Sequence, residues 1–259
     1  MYKKEVNETN PVLIDTDEMH IKTAVAHKFN DVATSPQAKF EFPVGRKFAE
    51  SVGYSPELLN GLPPSLWESF TGAGNPHPFI DVQPGEVILD LGCGAGLDVY
   101  LYAKSTGEQG KVYGIDISRD MIVKAEKNMS MMGIQNTKFF WAAVDKIPLP
   151  DASIDLVTAN GIYNLSPNKE AVMNEVFRVL KSGGRTIFAE IVLKERLPAS
   201  LQRNANEWFK CIGGAQLEED FLGKLKNSGF HEPRILWKGR NTRTGHRSAL
   251  CAVVRAEKI

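Results

Sequence analysis

The 259 residues predict an α/β fold: a mostly parallel seven-stranded sheet covered by helices, with an antiparallel edge pair and an N-terminal helical segment. Strand-like apolar runs alternate with segments of helical period, roughly 25–30 residues apart, the rhythm of βα units. Glu86-Val87-Ile88-Leu89 runs straight into Asp90-Leu91-Gly92-Cys93-Gly94-Ala95-Gly96, a buried strand entering a glycine-rich turn. The last two strand patterns, 234–238 and 248–255, complete the sheet as the antiparallel pair.

The elements follow in order. Ile21, Ala24, Val25, Phe29 and Val32 share one helical face, which predicts an amphipathic helix over 18–32 that docks on the core or over a bound cofactor. Residues 1–50 are read as this cap and 51–259 as the main domain. Ser55 and Pro56 open a capped helical turn, and a Gly- and Pro-rich loop over 70–79 precedes the first strand. After the glycine turn a helix starts near Leu97 and Asp98. The second strand, 111–115, ends in Asp116, and Ser118 caps the helix through Met121, Ile122, Ala125 and Met129. Strands follow at 137–142 and 154–159. A helix over 170–180 is read as stopped by Lys181-Ser182-Gly183-Gly184, with a strand at 186–192. An insertion over 194–230 holds two helical patterns, 199–211 and 218–227.

The glycine turn carries the chemistry. Its three glycines let backbone approach a ligand, and the N–H groups of the following helix start face it. Asp116 stands 20 residues beyond Gly96, where a Rossmann unit grips the two hydroxyls of an adenosine ribose. The spacing is G-x-G-x-G rather than the G-x-G-x-x-G of a pyrophosphate site, and the acid Asp90 precedes it. A carboxylate repels phosphates and favours an ammonium. S-adenosylmethionine, with an ammonium, a carboxylate and a sulfonium, therefore fits better than NAD.

The pattern resembles motif I of the class I S-adenosylmethionine-dependent methyltransferases, with Asp116 at their ribose-binding position. The resemblance implies that Asp90 meets the methionine ammonium and that Gly92 and Gly94 lie against the ligand. Ile117 and Met121 are expected on the adenine. Ala143 offers it no polar side chain, so backbone near Val144 or the carboxylate of Asp145 must serve. Asn160, just past the fourth strand, is expected to touch the methionine end and border the acceptor.

Composition narrows the partners. Net charge is zero and no block of Lys or Arg stands out, which argues against a nucleic-acid footprint. Lys238, Arg240, Arg243, His246 and Arg247 form a small basic patch, read as a solvated hairpin. No signal-peptide core or membrane-length apolar run is present, so a cytoplasmic protein with no membrane partner is expected. Cys93, Cys211 and Cys251 have no zinc spacing and suggest no disulfide framework.

Gly53-Tyr54-Ser55, the loop over 72–76, the run 159–169 and the run Trp208-Phe209-Lys210-Cys211-Ile212-Gly213-Gly214-Ala215 resemble the arsenite methyltransferases. That family holds trivalent arsenic with thiolates, soft ligands for a soft centre. The resemblance places three of its cysteines at positions that are Ala73, Gly161 and Cys211 here, so one thiol of three is retained. Three readings stay open: a different small-molecule acceptor (thiol, sulfide, selenide or small organic molecule), arsenite delivered by external thiols to Cys211, or a non-catalytic cofactor-binding protein. The first is favoured. Phe70, Asn75, Phe79, Asn164 and Trp208 are expected to line the acceptor pocket beside Cys211, His77 and Tyr163, with His77 or Tyr163 as base if the acceptor must lose a proton.

Overall fold

The structure, a computed structural model, describes residues 18–259; the first 17 residues of the expected cap lie outside the described residues. The sheet has eight strands: β1 (Val87–Leu91), β2 (Lys111–Asp116), β3 (Thr137–Trp141), β4 (Ile154–Asn160), β5 (Leu180–Leu193), β6 (Gln216–Leu217), β7 (His231–Arg240) and β8 (Ala249–Glu257). They lie in the order β3-β2-β1-β4-β5-β8-β7, with β6 beside the end of β5. Contacts among β1 to β6 are parallel, and β8 runs antiparallel to both β5 and β7, as the edge pair requires. The expected seven are all present. The eighth, β6, is only two residues long and pairs with Val192 and Leu193, too short to leave a period in the sequence.

Helices cover both faces because successive strand residues point to opposite sides. Along β1, Leu89 and Leu91 join the core under α7 (Lys169–Val179) and α10 (Glu218–Asn227), with Val176 and Leu225 among its fully buried members. Ile88 points to the other core, which holds α5 (Leu97–Thr106), the short α3 (Pro56–Asn60) and α4 (Pro64–Trp67), and part of α6 (Arg119–Met131). Asp90 follows Ile88 by two residues and so faces the same side as α5.

The N-terminal helix α1 (Glu18–Thr34) buries Ile21, Val25 and Val32, the face its spacing predicts. It packs on α6, and Asn30 Oδ1 accepts a 2.6 Å bond from Ser118 Oγ. Residue 50, the expected cap boundary, falls inside α2 (Arg46–Ser51), so a helix crosses it.

Three local expectations are corrected. The run 181–184 does not cap a helix: α7 ends at Val179, and Leu180 is already extended and paired with Ile154. Gly183, at φ +80°, sits in an irregularity that shifts the register, so that Leu156 pairs with Arg185. The pattern over 199–211 is two helices, α8 (Ala199–Gln202) and α9 (Ala205–Phe209), because Asn204 breaks it and caps α9 by accepting from the Asn206 N–H at 2.9 Å. Arg243 is not part of a solvated hairpin. It is 3% exposed, with Nη1 donating to Thr71 Oγ1 and Nη2 to the Phe209 carbonyl.

Ser118 caps α6 by accepting from the Met121 N–H at 3.1 Å while its hydroxyl reaches α1. Ser118→Ala removes both bonds and is expected to lower unfolding stability by about 1–2 kcal/mol. Urea denaturation with unchanged m-value checks this.

Candidate active site

The cleft opens at the carboxyl ends of β1, β2 and β4, where the chain stops building outward from β1 through β2 and crosses back to β4. Val25 and Phe29 of α1 form part of its wall. The turn between β1 and α5 needs its glycines: Gly92, Gly94 and Gly96 have φ of +66°, +52° and +90°. A Cβ on Gly92 would lie 2.6 Å from Ile162, whereas a Cβ on Gly94 would meet nothing within 4 Å. Gly94 therefore presents bare backbone to the cleft.

Three buried carboxylates line this space, Asp90, Asp98 and Asp116, and among the described residues no Lys, Arg or His does. Asp116 ends β2 and accepts the N–H of Gly94 at 2.9 Å and of Ser118 at 2.8 Å. Burial pushes its carboxyl up to about 6 against those bonds. Asp90 lies between Gly114 and Thr158 in the register and accepts from Thr158 Oγ1 at 2.9 Å. Burial, then the neighbouring Asp98, hold its carboxyl well above the usual range. For Asp98 burial also disfavours charge, but bonds from His77 Nε2 (2.9 Å), Tyr54 Oη (2.6 Å) and Asn160 Nδ2 (3.2 Å) win and keep it below that range.

Asn160 is the hub of the far end. Its Oδ1 accepts from the N–H groups of Ala73 and Gly74 at 2.8 and 3.1 Å, and Nδ2 donates to the Gly74 carbonyl at 2.9 Å. A Cβ on Gly72 would lie 2.5 Å from Asn160, so this loop needs glycine there to close on β4. Ile117 and Met121 line the cleft on the β2 side. An adjoining apolar pocket is lined by Ile117, Ala143, Val144 and Asp145, and the Asp145 carboxylate pairs with Lys22 of α1.

Of the residues expected at the acceptor, Phe70 lines the cleft and the rest take other places. Asn75 bonds the Gly53 carbonyl and the His77 N–H. Phe79 packs near Trp237. Asn164 and Trp208 donate to the carbonyls of Ile191 and Gln202. Tyr163 lies in the core between Phe188 and Phe221 and donates to Gln216. His77 stacks on Tyr102 and reaches the cleft only through Asp98. The expected aromatic acceptor pocket is thus not assembled, because most of its rings serve the core instead.

Cys211 stands just behind the cleft wall, fully buried, with Sγ donating to the Gly161 carbonyl at 3.1 Å. Burial pushes its thiol up to about 12. The residue has φ +65°, at the position after a helix end where glycine is usual. Glu190 was missed. It is 1% exposed, pushed up to about 7 by burial, and accepts the Ile162 and Tyr163 N–H groups, both at 2.7 Å. An acid inside the apolar run Ile187–Leu193 was its signal. At Asp98 the sequence shows only a helix start, and no local pattern marks its burial.

A glycine cradle, an acid at the ribose position and a cleft whose charged side chains, among the described residues, are all acids define a Rossmann-type protein built for an adenosyl ligand that carries positive charge. A methyltransferase-domain family model matches residues 83–238, and the chain belongs to that family. Its cofactor is S-adenosylmethionine, which the cleft fits: Gly94 leaves backbone open to it and the acids favour a cation.

Among relatives, the chain is 34% identical over 171 residues to an arsenite methyltransferase of Halobacterium salinarum, covering 66% of this chain and 44% of that one. It is 34% identical over 232 residues to that of Mus musculus, covering 86% and 60%. The chain spans about half the length of the curated relatives it matches. The structure of an arsenic(III) S-adenosylmethionine methyltransferase from Chlamydomonas reinhardtii superposes with a TM-score of 0.66 at 27% identity, over 82% of this chain and 73% of that one. No described helix is long and apolar enough to cross a membrane.

Asp116 gives a pH signature. Its folded value of about 6 exceeds the ordinary 3.8, so between these the folded state keeps a proton that the unfolded chain has lost. Stability from this group is present below about pH 4 and is lost as pH rises to about 6. In cofactor-free protein, the wild type is expected to lose up to about 3 kcal/mol relative to Asp116→Asn across that window. Denaturant curves of both proteins at each pH check it.

Proposed function

We propose that the protein transfers the methyl group of S-adenosylmethionine to a small-molecule nucleophile, with a thiol, sulfide or selenide the acceptor class the site favours. The observation that carries this reading is the convergence of Ala73, Gly161 and Cys211. A Cβ on Gly161 would lie 2.9 Å from the Ala73 nitrogen and 3.4 Å from its Cβ, while the Cys211 thiol bonds the Gly161 carbonyl. The three positions that carry cysteine in the resembled arsenite methyltransferases therefore meet at one point. Of those three positions only Cys211 carries sulfur here, protonated at neutral pH and engaged as a donor, while Cys251 Sγ lies close by against Gly74. Closed packing between residues 73 and 161 leaves no room there for a three-thiolate clamp.

When bound, the cofactor supplies an activated methyl group, so the chain's task is to orient the acceptor and exclude water. Gly94 and Asp116 seat the adenosyl part, Asn160 and the loop over 72–74 wall the methionine end, and Val25 and Phe29 shield it. His77 is tied to Asp98 and Tyr163 to Gln216, so neither expected base opens onto the cleft. An acceptor that is soft and easily deprotonated needs no base, which favours sulfur or selenium over a hydroxyl or ammonium.

A second reading, arsenite delivered as a thiol complex to Cys211, is favoured by the likeness to arsenite methyltransferases. S-adenosylhomocysteine release separates the two. Sulfide or simple thiols are expected to drive release, and Cys211→Ser, which keeps a donor to Gly161, is expected to retain it within about threefold. Arsenite-dependent release that vanishes in Cys211→Ser would overturn this acceptor assignment. Cofactor binding with no turnover on any acceptor would point to a binding protein.

A further inference from the structure

Asp98 is the cleft acid to which the glycine motif gives no role. It sits in the first turn of α5, where the helix N–H groups present positive partial charge. Its Oδ1 takes the two shorter bonds, from Tyr54 and His77, while Oδ2 takes only the 3.2 Å bond from Asn160 and keeps acceptor capacity. Those partners come from the segment before α3, the loop before β1 and the end of β4, so the carboxylate is fixed from three sides.

Position and charge both point toward the sulfur end of the ligand. Asp116 marks the ribose end at β2, and Asp98 lies on the Asn160 side, away from it. Asp90 is close enough to compete with Asp98 for the negative charge, but it has one side-chain donor, Thr158, where Asp98 has three. Two neighbouring buried acids do not both ionise easily, so the better solvated one holds the charge. No Lys, Arg or His among the described residues lines the cleft to neutralise it.

We propose that Asp98 reads the positive charge of the methyl donor and makes the cleft favour the sulfonium form over the uncharged thioether left after transfer. This rests on the methyltransferase reading. When the carbon–sulfur bond breaks, its electron pair stays on sulfur, so the product lacks the charge that Asp98 faces. The preference would commit the cleft to the donor before reaction and weaken its hold on the product after it.

The test is calorimetric binding of S-adenosylmethionine, S-adenosylhomocysteine and sinefungin, which carries an ammonium near the sulfonium position, to wild type, Asp98→Asn and Tyr54→Phe. Asp98→Asn is expected to lower the donor-to-product affinity ratio by about tenfold or more, with sinefungin following the donor. Tyr54→Phe removes one donor but keeps the charge, so its ratio should stay within about threefold of wild type. Equal weakening of all three ligands by Asp98→Asn would assign the residue to structure alone and overturn the proposal. Collapse of the ratio in Tyr54→Phe would also overturn it, because network geometry rather than charge would set the preference. Wild-type protein that binds none of the ligands would instead sink the methyltransferase reading beneath it.

Discussion

The structure depends on keeping three carboxylates buried in one cleft that, among the described residues, no cationic side chain lines. Each acid is managed by a different local device. Asp116 takes backbone N–H groups from the glycine turn and from the start of α6, so the turn and the ribose position are one hydrogen-bonded unit. Asp90 is held by Thr158 across the β1–β4 register. Asp98 is held by side chains from three separate segments and by the start of α5. Burial alone opposes ionisation of such groups, and these donors decide which of them carries charge.

The frame of this arrangement was legible in the sequence and the network was not. Alternating apolar runs, the G-x-G-x-G turn, the acid at Asp116 and the cap at Ser118 are local signals, and each element they predict is present within a few residues. The failures share a cause. Gly183 and Gly184 look like a helix stop, but pairing of Leu180 with Ile154 overrides that signal. Tyr163, Trp208 and Phe79 look like pocket walls, but the core draws them in, because aromatic burial is set by neighbours that a single sequence does not reveal. Tyr54, His77, Asp98 and Asn160 meet across as many as 106 residues of chain, a coincidence of tertiary packing that no spacing encodes.

The wall of the cleft beyond β4 follows from backbone proximity. Gly161, at φ +75°, lets the chain after β4 pass against Ala73, and Glu190 holds the next two N–H groups in place. Cys211 braces the same turn from behind. A cysteine in the left-handed region costs about 1 kcal/mol relative to glycine, a strain shared in this chain by Ala152 and Glu232. Its Sγ donates to the Gly161 carbonyl and so ties the turn after β4 to the end of α9.

The acids also tie folding to ligand binding. In the free protein Asp90 and Asp116 are disfavoured as anions by burial, and this cost is part of the cofactor-free state. A ligand bearing positive charge relieves it, so part of the binding free energy is electrostatic relief, and the complex is stabilised as ligand concentration rises above Kd. A phosphate-bearing ligand would add to the same cost. Selectivity for a cationic adenosyl cofactor therefore does not need a dedicated contact for every atom. It follows from burying carboxylates in a cleft that no basic side chain lines among the described residues, and α1 walls that cleft with Val25 and Phe29 while its Lys22 pairs with Asp145 in the adjoining pocket.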